Sequence, residues 1–204
     1  MRVRTLAILL SNLEPHPCND VELEQYSTDG DLAARWLADV AAFGDLTAGC
    51  TVADLGAGNG VLGLGAMAMG AGRAILFEAD QESCDVAQSN AEELGFADSV
   101  AVTKANLEID SIDLRSVDVV ISNPPWGRQS PKSDRPFLDA ILSNRAPSHL
   151  MHSAEASHIE PLFEENGWSV ERYGEADFPL PAAYSHHSRQ RGKTRAAFWR
   201  LTPK

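Results

Sequence analysis

The chain has little cysteine, little lysine and no long apolar run. Its three cysteines, Cys18, Cys50 and Cys84, stand far apart and are odd in number. That excludes a disulfide scaffold and a cysteine zinc motif, and it points to a reducing, cytoplasmic setting. The histidines show no metal-ligand spacing. His149 and His152 are three apart with no third ligand motif beside them, so no metal site is expected. No apolar run approaches the ~18–20 residues that a membrane span needs. The opening MRVRTLAILLSNLE places two arginines before LAILL. That apolar stretch is too short for a signal peptide, and no small-residue cleavage site follows it. It reads as a short amphipathic helix. Repeats, low-complexity segments and a clear linker are also missing. One domain over residues 1–204 is expected, with a helical segment at 1–45 and the core at 46–204.

Acid, by contrast, is abundant. The net charge is −12, from 17 basic and 29 acidic residues. The balance is uneven: up to Asp177 it is −18, and the last 27 residues carry +6 and no acid. An acidic body repels nucleic acid, whereas a basic end attracts it. Only 4 of the 17 basic residues are lysine. An acidic, lysine-poor surface suits a halophilic protein, because at about 1 M salt the Debye length shrinks to ~3 Å and mutes self-repulsion. A plain acidic cytosolic protein is the alternative.

Strand-like and helix-like segments alternate along the chain. Residues 30–43 carry a helical apolar stripe, and 51–56 (TVADLG) read as a buried strand ending at glycines. A small-residue helix over 60–70 follows, then a strand at 73–80 and a helix at 81–95 closed by Gly95. Strands are expected at 99–105, 117–122 and 148–153, with helices at 135–143 and at 155–167, the latter interrupted by Pro161. Two alternating segments near the end suggest an antiparallel pair at one side of the sheet. The expected fold is α/β and Rossmann-like, a mostly parallel seven-stranded sheet with an antiparallel C-terminal strand and helices on both faces. In such sheets, ligands bind beyond the carboxyl ends of the strands.

Four short motifs fall at such ends. VADLGAGNG sets Asp54, Gly56, Gly58 and Gly60 in D-x-G-x-G-x-G spacing, with Asp54 as a candidate cofactor contact. Glycine lets the backbone turn tightly and approach a ligand. The spacing differs from the dinucleotide fingerprint, since Val61 stands where its third glycine belongs, and no Gly-Lys-Ser/Thr makes a phosphate loop. Glu78 lies 20 residues past Gly58, where an acid can accept from ribose hydroxyls. The nucleoside could belong to NAD or to S-adenosylmethionine.

ISNPPWG (121–127) separates the two. A conjugated exocyclic amine is a poor nucleophile unless acceptors align its N–H groups. The Asn123 side-chain carbonyl and the Pro124 backbone carbonyl can do this, with Pro125 holding the loop rigid. Trp126 offers a face on which a flipped-out base could stack. The alternative is a mere strand end with a Pro-Pro stop and a buried Trp.

Together, DLGAGNG, FEAD and SNPPWG resemble the class I S-adenosylmethionine-dependent methyltransferases that act on amino groups. LEQYSTDGDLAARWL (23–37) and DFPLPAAYSHHSRQ (177–190) resemble the methyltransferase-like protein 5 family of rRNA adenine-N6 methyltransferases. The resemblance implies S-adenosylmethionine as cofactor and RNA, especially small-subunit rRNA, as substrate. It assigns Gln25 and Thr28 to cofactor contacts from the N-terminal segment. Gly56, Ala57 and Gly58 would line the cofactor's amino-acid portion, with Glu78 at the ribose. Asn106 stands where the family has an Asp near the adenine ring. Asn123 to Trp126 would form the catalytic loop, with Trp in place of the more usual Phe. Tyr184, His186, Arg189, Arg191 and Lys193 fall in the RNA-binding stretch. A small zinc-binding activator subunit is the implied partner. Competing readings are a methyltransferase of another amine, in protein glutamine or DNA, and a noncatalytic RNA-binding assembly factor.

Overall fold

Short, mostly buried strands build the centre of the molecule. The computed structural model describes residues 1–17, 28–127, 130–179 and 193–204. β1 (Thr51–Leu55), β2 (Arg73–Glu78), β3 (Val100–Lys104), β4 (Val119–Ser122), β5 (Ser148–Ser153), β6 (Trp168–Pro179) and β7 (Lys193–Pro203) form one sheet, in the order β3-β2-β1-β4-β5-β7-β6. β1 to β5 are mutually parallel, and β7 runs antiparallel to both its neighbours. This is the expected fold class.

Every residue of β4 and β5 is buried, as a sheet covered on both faces requires. Alternate strand residues feed two apolar layers. Val52, Leu76, Val119 and Ile121 meet α1 (Val3–Ser11), α2 (Gly30–Ala42), α3 (Val61–Met69) and α4 (Gln81–Glu93). Ala53, Phe77, Val120 and Leu150 meet α5 (Arg135–Leu142) and α6 (Ile159–Glu165). The helix expected over 155–167 begins only at Ile159. Pro161 therefore lies in its first turn, where a missing N–H costs nothing, and it does not interrupt the helix.

Two features fix the N-terminal helices. A Cβ on Gly30 would lie 2.5 Å from the Ser11 backbone nitrogen and 2.8 Å from the Leu10 carbonyl carbon, so α2 touches α1 backbone to backbone. Behind α2, Trp36 Nε1 donates to Tyr173 Oη at 2.7 Å, and Tyr173 Oη lies 3.1 Å from His149 Nδ1. The ladder shifts register between Arg172 and Gly174, so Tyr173 is the extra residue of a bulge. His149 is fully buried, and burial lowers its pKa despite Asp45. The neutral ring then accepts from Tyr173 at Nδ1 and donates from Nε2 to Asp45 at 2.9 Å. Arg200 closes the network with two bonds to Asp45, at 2.6 and 3.0 Å.

Candidate active site

The sheet order reverses at β1, which has β2 on one side and β4 on the other. At this switch point a cavity of about 460 Å³ opens beyond the carboxyl ends of the strands. Its lining includes Thr28, Gly56, Ala57, Gly58, Glu78, Asn106, Asn123 and Pro125. Residues far apart in sequence thus meet in one crevice.

The glycine loop makes the floor. Gly56, Gly58 and Gly60 all adopt positive φ, at 75°, 55° and 85°. A Cβ on Gly56 would come within 3.0 Å of Phe137, and one on Gly58 within 3.0 Å of His16. The Glu78 carboxylate is held by three N–H groups. Oε2 accepts from Gly58 at 2.8 Å, and Oε1 accepts from Ala79 and Asp80 at 2.8 and 3.0 Å. An acid so fixed faces the cavity with acceptor capacity left over, as hydroxyl recognition needs.

Asp54 is placed differently from its expected role. It is fully buried behind the loop and does not line the cavity. Its Oδ2 accepts from the Gly63 N–H at 2.8 Å, while Oδ1 has no hydrogen-bond partner. Asp54 therefore fastens the first turn of α3 under the glycine loop. Burial, reinforced by the nearby Glu78 charge and only partly offset by the Gly63 bond, pushes its pKa up to about 7.

Asn123 stands at the end of β4 with its amide fixed at both ends. Nδ2 donates to Thr28 Oγ1 at 3.1 Å, and Oδ1 accepts from Trp126 Nε1 at 3.1 Å. An amide oxygen has two acceptor sites, so one remains for a substrate amine. Trp126 itself is 7% exposed and outside the cavity lining. Its ring packs on Phe178 at 4.8 Å and stacks with His152 at 6.0 Å. The expected stacking face is thus covered, because Phe178 from β6 reaches it. Among the described residues, the phenyl rings that line the cavity are those of Phe77 and Phe137. Pro125 lines the cavity, whereas Pro124 is buried and does not. Asn106 lines it too, and its Oδ1 accepts from the Glu108 N–H at 3.0 Å in a local turn.

Several residues in or beside the site gave no sequence signal. Fully buried Asn90 accepts from the Glu14 N–H at 2.8 Å and donates to the Glu14 and Asn59 carbonyls at 3.2 and 3.0 Å. Those bonds span 76 and 31 positions of sequence. They seat the N-terminal segment against the glycine loop and bring His16 over Gly58. His16 Nε2 then lies 3.1 Å from Ser83 Oγ at the start of α4.

Gln25, Tyr184, His186, Arg189 and Arg191 lie outside the described residues, and Lys193 opens β7. Two cations of the basic end serve the fold. Arg195 pairs with Glu175 at 2.7 Å, and Arg200 is bound by Asp45. Among the described residues no helix is long and apolar enough to cross a membrane.

Residues 28–157 match the family described as the methyltransferase small domain. The chain is 30% identical to the Danio rerio rRNA N6-adenosine-methyltransferase METTL5, with both chains covered in full. It is 32% identical to an uncharacterized protein of Methanocaldococcus jannaschii over 93% of this chain and 89% of the relative. A crystal structure from Pyrococcus horikoshii, of a protein proposed to be an RNA methyltransferase, superposes with a TM-score of 0.87 at 33% identity, covering 100% of this chain and 98% of that one. A glycine loop, a fixed acid at the end of β2 and an Asn-Pro-Pro loop facing them across one cavity agree with these likenesses, and the chain belongs to the methyltransferase small-domain family.

Proposed function

We propose that this protein methylates the N6 amine of adenine in RNA, with small-subunit rRNA as its substrate. The observation that carries the reading is the Asn123 amide. Thr28 and Trp126 fix its orientation at the mouth of β4, opposite the glycine loop in the same cavity. S-adenosylmethionine supplies an electrophilic methyl group on a sulfonium. The chain's own part is positioning. Glu78 and the glycine loop offer acceptors and close backbone approach for a nucleoside. Asn123 Oδ1 accepts from one N–H of the amine; for the Pro124 carbonyl to accept the other, the loop would have to turn it into the cavity that Pro125 lines. Such alignment needs no strong base if the proton leaves after transfer, so its contribution is largely orientation. Trp126 holds Asn123 from beneath. For Trp126 to stack on a base, its ring would have to leave Phe178.

The METTL5 relative is named for rRNA N6-adenosine methylation, and its full-length likeness supports the same substrate class here. Arg189, Arg191 and Lys193, together with Tyr184 and His186, are assigned to the RNA. Gln25 and Thr28 are assigned to the cofactor. An activator subunit that adds strands to the sheet is also proposed, and β3, which among the described residues has no strand on its outer side, supports it. The test is to give the purified protein labelled S-adenosylmethionine and unmodified rRNA, with and without an activator, and to digest the product to nucleosides. Label in N6-methyladenosine is expected. Label in protein, or in another nucleoside, would overturn the reading.

A further inference from the structure

Three side chains outside the cavity meet at one point. Asp134 begins the turn into α5, His152 lies on β5, and His158 precedes α6. Asp134 Oδ2 is 2.6 Å from His158 Nε2 and 3.2 Å from His152 Nε2. His152 is 1% exposed, and among the described residues its Nδ1 has no hydrogen-bond partner. Its Nε2 meets the Asp134 carboxylate at 3.2 Å, an ion-pair distance short of good hydrogen-bond geometry. A buried imidazole normally finds a well-formed partner, and here it shares one carboxylate oxygen with His158.

We propose that Asp134, His152 and His158 bind a divalent cation of the zinc type. Two imidazoles and one carboxylate form a three-ligand set that leaves a fourth position for water. The nitrogen ligands disfavour magnesium and calcium. All three ligand atoms lie within 4.8 Å of one another. A tetrahedral ion with bonds of about 2.0–2.2 Å would set them roughly 3.3 Å apart. His158, with its side chain 51% exposed, can shift to open the 2.6 Å contact, and it leaves an entry path from solvent. His152 and Asp134 are fixed by burial and supply the rigid part of the site.

The ion would tie together the starts of α5 and α6 and the end of β5. It would also reach the Asn-Pro-Pro-Trp loop, because the His152 ring stacks with Trp126. Asp134 directly follows Ser133, which lines the cavity. The role is structural support behind the loop, independent of the substrate assignment.

The chain alone, stripped with chelator, should be loaded with zinc, passed through gel filtration and measured by elemental analysis. One zinc per chain is expected, with a rise in Tm on loading. Cobalt in its place should give the visible absorption of a four-coordinate site. His158→Gln, at a half-exposed position, and Asp134→Asn should each lower the affinity by about tenfold or more, with folding checked by circular dichroism. Absence of stoichiometric zinc in the wild-type chain would overturn the proposal. So would zinc held equally well by both variants, which would place it elsewhere on the chain.

Discussion

Asp54 and Trp126 show how a side chain can serve a site without facing it. For Asp54, burial raises the carboxyl pKa to about 7 from 3.8. Between those values the folded chain keeps a proton that the unfolded chain has released. Its contribution to stability therefore falls as pH rises from about 4 to about 7, and is constant above that. Asn at this position can still accept from Gly63 and has no charge to bury. Asp54→Asn should gain stability over wild type as the pH of thermal melts rises from about 5 to about 8, and an unchanged difference in Tm would count against the buried-acid assignment. Trp126 is separable by a milder change. Trp126→Phe keeps a ring against Phe178 but removes the bond to Asn123 Oδ1. A stability loss of about 0.5–1.5 kcal/mol is expected from that hydrogen bond, with kcat falling while cofactor affinity holds. Equal kcat would show that Asn123 needs no such support.

Among the elements, β1, β2 and β4 were legible because their apolar runs end in motifs that name the next task. Gly56, Gly58, Glu78 and Asn123 could be read locally, and all line the cavity. What could not be read depends on contacts between distant elements. The burial of Trp126 is decided by Phe178 on β6, and the seat of His16 by Asn90 on α4. Asp134, His152 and His158 come together only when α5, β5 and α6 pack, so their spacing in sequence carries no ligand signal. In the sequence Pro161 reads as a breaker of the helix over 155–167, and only the start of α6 at Ile159 shows that it sits harmlessly in the first turn. The pairing of α1 with α2 is testable at Gly30. A methyl group there meets backbone, which cannot rotate away. Gly30→Ala should cost about 1–3 kcal/mol by overpacking, read as a lower denaturant midpoint. Wild-type stability would mean that the two helices can separate without penalty.

Across the whole molecule, charge is the dominant trait. A net −12 is spread over a chain whose basic end is partly spent on internal pairs, Arg195 with Glu175 and Arg200 with Asp45. Self-repulsion at low ionic strength then opposes the folded state, and salt relieves it. On the halophile reading, Tm should rise on going from about 0.1 M to about 2 M KCl, by about 2–4 °C for each kcal/mol recovered. A flat or falling Tm would leave an ordinary acidic protein. On that reading the same screening would weaken phosphate contacts, and the proposed RNA binding would lean on stacking and on the shape of the pocket.

Asn123 is the group proposed to align the amine. Single-turnover methyl transfer to rRNA by wild type and by Asn123→Ala, alongside direct measurement of S-adenosylmethionine binding, tests it most directly. The predicted result is a transfer rate lowered about 10²–10³-fold, with the cofactor still bound. Transfer at the wild-type rate by Asn123→Ala would contradict it.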